Sequence, residues 1–98
     1  MVRYLVLVKF TEDGIEDVQD SIKRAKSFDA KAEGAGCKIE SQYWTLGAYD
    51  GMFILNAPDE TTAAAVVLSL GKADAVTTQM LRAFDAGEFE KIVNKMPK

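Results

Sequence analysis

The sequence predicts an α+β domain whose elements run β-α-β-β-α-β, with one more helix at the C-terminal end. Three observations carry this. The run Val2–Phe10 is β-branched, aromatic and almost continuously apolar, as in a central strand covered on both faces. Two further strand-like runs flank a short glycine-bracketed turn, the pattern of an antiparallel hairpin. Apolar residues recur at helical spacing in the segments that would connect these strands to their neighbours.

After the first strand, Thr11-Glu12-Asp13-Gly14 reads as a turn. Ile15 and Val18 suggest a short helical piece, and Asp20 or Ser21 is placed to cap a longer helix. Within residues 22–34, Ile22, Ala25, Phe28 and Ala32 form an apolar stripe with Lys23, Lys26 and Lys31 off it, and Gly34 and Gly36 end the helix. Residues 38–46 and 52–57 are the hairpin strands, joined through Gly47-Ala48-Tyr49-Asp50-Gly51. Asp59 then caps a second helix whose stripe is Ala63, Val66, Val67 and Leu70, ending near Gly71. Residues 76–84 make a fourth strand, and residues 86–95 a final amphipathic helix offering Phe89, Ile92, Val93 and Met96. With right-handed crossovers both connecting helices fall on one face of a four-stranded antiparallel sheet, the ferredoxin-like plan, with residues 1–98 as one domain.

Two helices cover only one face of such a sheet. Yet the first strand is apolar on both sides, with Tyr4, Val6, Val8 and Phe10 on one and Leu5 and Leu7 on the other. The third strand repeats this with Phe53 and Leu55 against Met52 and Ile54. A monomer would leave an exposed apolar patch of a kind that soluble proteins rarely carry, so a homo-oligomer is expected, a two-fold dimer closed on that face or a higher assembly built from such dimers. Covering by the C-terminal helix is the competing explanation, although that helix is short for the task.

Composition narrows the chemistry. Apolar residues at 48% and charged residues at 28% are those of a globular protein and exclude disorder. Twelve basic against fifteen acidic residues give a net charge of −3, which argues against a nucleic-acid partner. Cys37 is the only cysteine, so no disulfide closes within the chain; it reads as a small apolar residue, since no histidine is present to activate it. The lack of histidine also removes the commonest general base and metal ligand. No metal-ligand spacing, nucleophile–base pair, phosphate loop or nucleotide fingerprint occurs, so neither metal nor cofactor is expected. With no basic leader and no apolar run of membrane-spanning length, the expected location is the cytoplasm, away from membranes.

Candidate site residues cluster in the hairpin. Tyr43 and Trp44 point to opposite faces if the strand is regular; parity with Ile39 puts Tyr43 under the helices and Trp44 on the open side, toward a partner sheet or a ligand. Packing alone accounts for both aromatics. Tyr49 and Asp50 fit turn chemistry, or else a hydrogen-bond donor and a base at a cavity mouth. Arg82 interrupts the fourth strand and reads as an exposed edge residue, a charge paired with a carboxylate, or an anchor for an anionic ligand; Arg3 and Lys9 raise the same question.

The stretch Tyr43-Trp44-Thr45-Leu46-Gly47-Ala48-Tyr49-Asp50, followed by Asn56-Ala57-Pro58-Asp59-Glu60 and Leu81-Arg82-Ala83-Phe84, resembles the GYD-domain family, whose glycine–tyrosine–aspartate signature is carried here by Gly47, Tyr49 and Asp50. The resemblance implies a ferredoxin-like fold of the dimeric α/β-barrel type and brings no established activity or catalytic residues. Related architectures include cofactor-free monooxygenases, lactone isomerases and haem-degrading proteins, an analogy of fold alone. Haem chemistry is disfavoured by the missing histidine. The leading expectation is a binding module for a small aromatic or weakly acidic molecule, with Trp44 stacking on it and Arg82 and Tyr49 making polar contacts. A cofactor-independent oxygenase or isomerase, and a structural or regulatory oligomer without ligand, are the alternatives.

Overall fold

In the computed structural model, which describes residues 1–98, β1 (Val2–Phe10) is the central strand. It pairs antiparallel with β3 (Gly51–Ala57) and β4 (Val76–Ala83), and β2 (Lys38–Trp44) adds to the far side of β3. The sheet order is β2-β3-β1-β4, the ferredoxin-like arrangement. Helices α2 (Ser21–Gly34) and α3 (Glu60–Gly71) cover one face, with α1 (Glu12–Glu16) and a 3-10 turn (Val18–Asp20) leading into α2. A ninth element, α4 (Ala86–Asn94), follows β4.

Alternation along the strands builds the core. Tyr4 and Val6 of β1 and Phe53, Leu55 and Ala57 of β3 are buried beneath Phe28 and Ala32 of α2 and Ala63, Val66 and Val67 of α3. The stripe expected on α3 is the one observed, with Leu70 partly buried against it. On α2 the stripe begins later than expected, because Ile22 is exposed. At 100° per residue it lies about 120° around the helix from Phe28. The expected turn at residues 11–14 is instead the start of α1, since the Thr11 hydroxyl accepts from the Gly14 amide as an N-cap. Thr11 also fixes this end of the molecule, its amide donating to the Ala75 carbonyl and its hydroxyl to that of Asp74. Gly14 packs against the same segment so tightly that a Cβ there would lie 1.9 Å from the Ala75 oxygen.

The expected facing of Tyr43 and Trp44 is reversed. Ile39 pairs with Leu55, but Ser41 pairs with Ile54, so Glu40 is an extra residue in the ladder, a β-bulge. One extra residue moves every later side chain of the strand to the other face. Gln42 and Trp44 therefore fall opposite Phe53 and Gly51 on the helix-covered face, whereas Tyr43 falls opposite Met52 on the open one.

That open face carries Leu5, Leu7, Met52, Ile54, Leu81 and Tyr43, all half-buried or exposed. Helix α4 does not cover it. A capping box between Asp85 and Glu88 starts the helix, and the Glu88 carboxylate also holds Arg3 of β1 at 2.9 Å. Beyond that hook, Phe89, Ile92, Val93 and Met96 remain exposed. No helix is long and apolar enough to cross a membrane.

Candidate functional site

On the helix-covered face, a half-open cleft of about 200 Å³ lies at the end of the sheet where β1 and β2 finish, lined by residues of α2 and of the C-terminal end of α3. Its floor is Val8, Gly51 and Phe53, and Phe28, Phe10 and Leu70 form its walls. Phe28 and Phe53 meet as a tilted pair, ring centroids 5.3 Å apart. Trp44, 46% exposed, stands at the edge with its indole toward the cleft. Glycine at 51 is what keeps the floor open, because any side chain there would project between Val8 and Trp44. Gln42 reaches across to the Asp29 carboxylate of α2 at 3.3 Å and braces β2 under that helix.

Asp50 also borders this cleft, with its amide, its carbonyl and one carboxylate oxygen bonded to backbone. Its carboxylate accepts from the Phe10 amide at 2.7 Å, its own amide donates to the Val8 carbonyl, and its carbonyl accepts from the Thr45 amide. The side chain thus extends the β1 ladder by one hydrogen bond past the end of β3. Tyr49 faces the other way, its hydroxyl donating to Gln79 of β4 at 2.9 Å beside Leu7 and Lys9. Tyr43 is 63% exposed on the open face.

Arg82 lies far from both. It is paired with Tyr4, four residues along β1 from Val8, which is roughly 13 Å at strand rise, and three strands across from Trp44. Its guanidinium lies over the Phe84 ring at 4.5 Å and bonds the carbonyls of Arg3 and Ala83, with no carboxylate within ion-pair distance. The structure therefore does not bring Trp44, Tyr49 and Arg82 to one place.

The cations beside Trp44's cleft are Arg24 and Lys31 of α2. Lys31 lies off the apolar stripe expected for this helix, and neither cation stands out in the sequence as a site residue. The signal lay in spacing: Arg24, Phe28 and Lys31 stand at i, i+4 and i+7, on one side of the helix. Elsewhere, Cys37 is buried against the core, and that burial, with the nearby Asp59 charge adding to it, raises its thiol pKa. No group of acidic or cysteine residues is arranged to hold a metal ion.

The model of the GYD domain matches residues 4–93. This chain belongs to the GYD domain family. A relative in Thermus thermophilus, named glutamine synthetase and cystathionine beta-lyase binding protein, is 30% identical over 89 residues, 90% of this chain and 94% of that protein. Among solved structures, MtbAldR superposes with a TM-score of 0.65 at 15% identity, which is a likeness of fold. The match covers 86% of this chain and 53% of MtbAldR, so the chain spans about half the length of that protein.

In this GYD domain the signature residues organise a turn. Gly47 has φ 136°, in the region open to glycine, and lets the chain reverse after β2. The Thr45 hydroxyl then donates to the Tyr49 carbonyl at 2.7 Å, and Asp50 joins the turn to β1. The turn presents Trp44 on one face of the GYD domain and Tyr49 on the other.

Proposed function

We propose that the protein is a binding module that works as a two-fold dimer and takes a small aromatic or weakly acidic molecule in the cleft beside Trp44. The observation that carries this reading is the cleft itself, an aromatic-walled space lined by α2, the end of α3 and the sheet. Catalysis by Tyr49 and Asp50 is the weaker reading, because Asp50 is engaged by the Phe10 amide and Tyr49 lies on the opposite face. The dimer is supported by the apolar open face around Leu5, Leu7, Met52 and Ile54, which α4 leaves uncovered.

The test is a thermal-shift screen of aromatic acids, quinones and lipids, read together with the emission of Trp44, the only tryptophan. Stabilisation with a change in Trp44 emission supports the reading. No stabilisation by any member, with emission unmoved, refutes it.

A second reading has the protein dock onto metabolic enzymes, as the name of the Thermus thermophilus relative says of that protein. It is favoured by the exposed Tyr43 and Leu46 beside the hairpin turn, apolar groups of the kind that anchor interfaces. Biolayer interferometry against purified glutamine synthetase and cystathionine beta-lyase tests it, and the absence of binding to both counts against it.

A further inference from the structure

The charges around the cleft indicate which class of molecule it takes, an inference that rests on reading the cleft as a ligand site. The walls are largely apolar, and the charged side chains at the rim are Arg24, Lys31 and Asp50. One Asp50 oxygen accepts from the Phe10 amide, a contact that leaves its charge in place, so the rim carries two cations and one carboxylate. The two cations meet no carboxylate, since both ion pairs of the chain belong to Arg3. Asp20, one turn before Arg24, and Asp17, three residues earlier still, close no pair with it either.

Arg24 is positioned by neutral groups instead. Its Nη1 donates to the Asp17 carbonyl at 3.0 Å, and its Nη2 lies 3.5 Å from the Gly14 carbonyl. These contacts fix the guanidinium without neutralising it and leave the rest of its five N–H donors available. Lys31, two turns further along the same side of α2, adds a second positive charge. In a chain of net charge −3, the rim of this cleft thus carries two cations without ion-pair partners against a single carboxylate. Partial shielding strengthens a guanidinium–carboxylate contact relative to one in open water.

We propose that the cleft binds a small amphiphilic anion, a single-ring or short-chain carboxylate. Its apolar part lies against Phe28 and Trp44 and its carboxylate on Arg24, with Lys31 adding attraction. The size agrees: an apolar cavity of roughly 150 Å³ holds a benzene ring, and this cleft is about 200 Å³.

The experiment titrates the full chain with benzoate and indole-3-acetate, and with their neutral isosteres benzamide and indole-3-acetamide, by calorimetry and Trp44 emission at low and high salt. The acids bind about tenfold more tightly than the amides, and salt reduces that preference. Arg24→Gln abolishes the preference. Lys31→Gln, which removes a side chain without partners, lowers it severalfold and keeps the wild-type melting temperature, so the test stands even where Arg24→Gln loosens α1. Equal binding of acids and amides overturns the anionic assignment while leaving the cleft as a ligand site. So does a preference untouched by either variant. Failure of all four probes to bind, with emission unmoved, overturns the cleft reading and this inference together.

Discussion

Trp44 stands directly opposite Gly51 in the β2–β3 ladder, and the missing side chain at 51 leaves the floor of the cleft open under the indole. A Cβ at that position would lie 3.1 Å from the Tyr43 carbonyl and 3.9 Å from Cβ of Val8. Gly51→Ala is tolerated only if β2 gives by a few tenths of an ångström. Gly51→Val adds an isopropyl group whose Cβ is tight against the Tyr43 carbonyl and whose methyls project between Val8 and Trp44 into the cleft floor. It is expected to cost roughly 1–3 kcal/mol by overpacking and to displace Trp44, seen as a red shift of emission, a lower urea midpoint and loss of ligand-induced stabilisation. Unchanged emission in Gly51→Val would mean that the indole does not depend on the space at 51.

Why the sequence revealed the fold better than the site follows from particular residues. The two apolar parities of β1 and the hairpin around Gly47 and Gly51 are local patterns, and the order of elements with right-handed crossovers does the rest. The facing of Trp44 depends on Glu40, whose extra place in the ladder leaves no mark in Lys-Ile-Glu-Ser-Gln-Tyr-Trp. A bulge without glycine has no composition to read. Arg24 and Lys31 look like ordinary helix cations until both are found lining the cleft beside Trp44, a tertiary fact. Arg82 stands apart from Trp44 for the converse reason: its strand can be read from the sequence, but not its distance from Trp44.

Tyr49 and Asp50 are adjacent, and their substitutions separate turn from chemistry. Asp50→Ala leaves the Phe10 amide without its 2.7 Å partner and is expected to cost about 1–3 kcal/mol. Tyr49→Phe removes one exposed hydrogen bond to Gln79 and should stay within about 0.5 kcal/mol of wild type. Chemical denaturation of both variants decides. A destabilising Tyr49→Phe with a neutral Asp50→Ala would reverse the assignment.

Asp59 gives the fold an acid-side dependence. Its carboxylate accepts from the Thr62 amide at 2.7 Å, which caps α3 and draws its pKa below the ordinary 3.8. The folded state therefore holds the ionised form more strongly than the unfolded chain does. That stabilisation is fully present above 3.8 and is lost as pH falls through the lower folded-state value. Asp59→Asn keeps a capping oxygen and does not titrate. The stability gap between wild type and variant should be constant near neutral pH and shrink on acidification, measured by denaturant titrations across the acid range.

Cys37 is 4% exposed among core residues, and both its burial and the charge of Asp59 disfavour the thiolate. A thiol of this kind reacts only when the structure opens. A chromogenic disulfide reagent should modify the native protein orders of magnitude more slowly than the urea-unfolded chain, at a rate that rises with denaturant. Rapid labelling of the native protein would show that the segment between α2 and β2 opens locally.

Leu7 and Met52 are cross-strand neighbours on the open face, the centre of the proposed two-fold contact. The radius of gyration, 14.8 Å, exceeds the roughly 13 Å expected for a compact chain of this length, in keeping with a sheet uncovered on one side and a helix standing away from it. In the dimer a glutamate at position 7 would bury a charge against the partner sheet. Removing a charge from water without a partner costs about 3 kcal/mol or more, equivalent to more than a hundredfold in Kd. Sedimentation should therefore give twice the chain mass for wild type and the chain mass for Leu7→Glu. The Trp44 cleft lies on the opposite face of the sheet, so the monomeric variant should still bind carboxylate probes. A wild-type chain that sediments as a monomer at every concentration removes the dimer, and a Leu7→Glu variant that loses ligand binding along with dimerisation shows that the two faces are coupled.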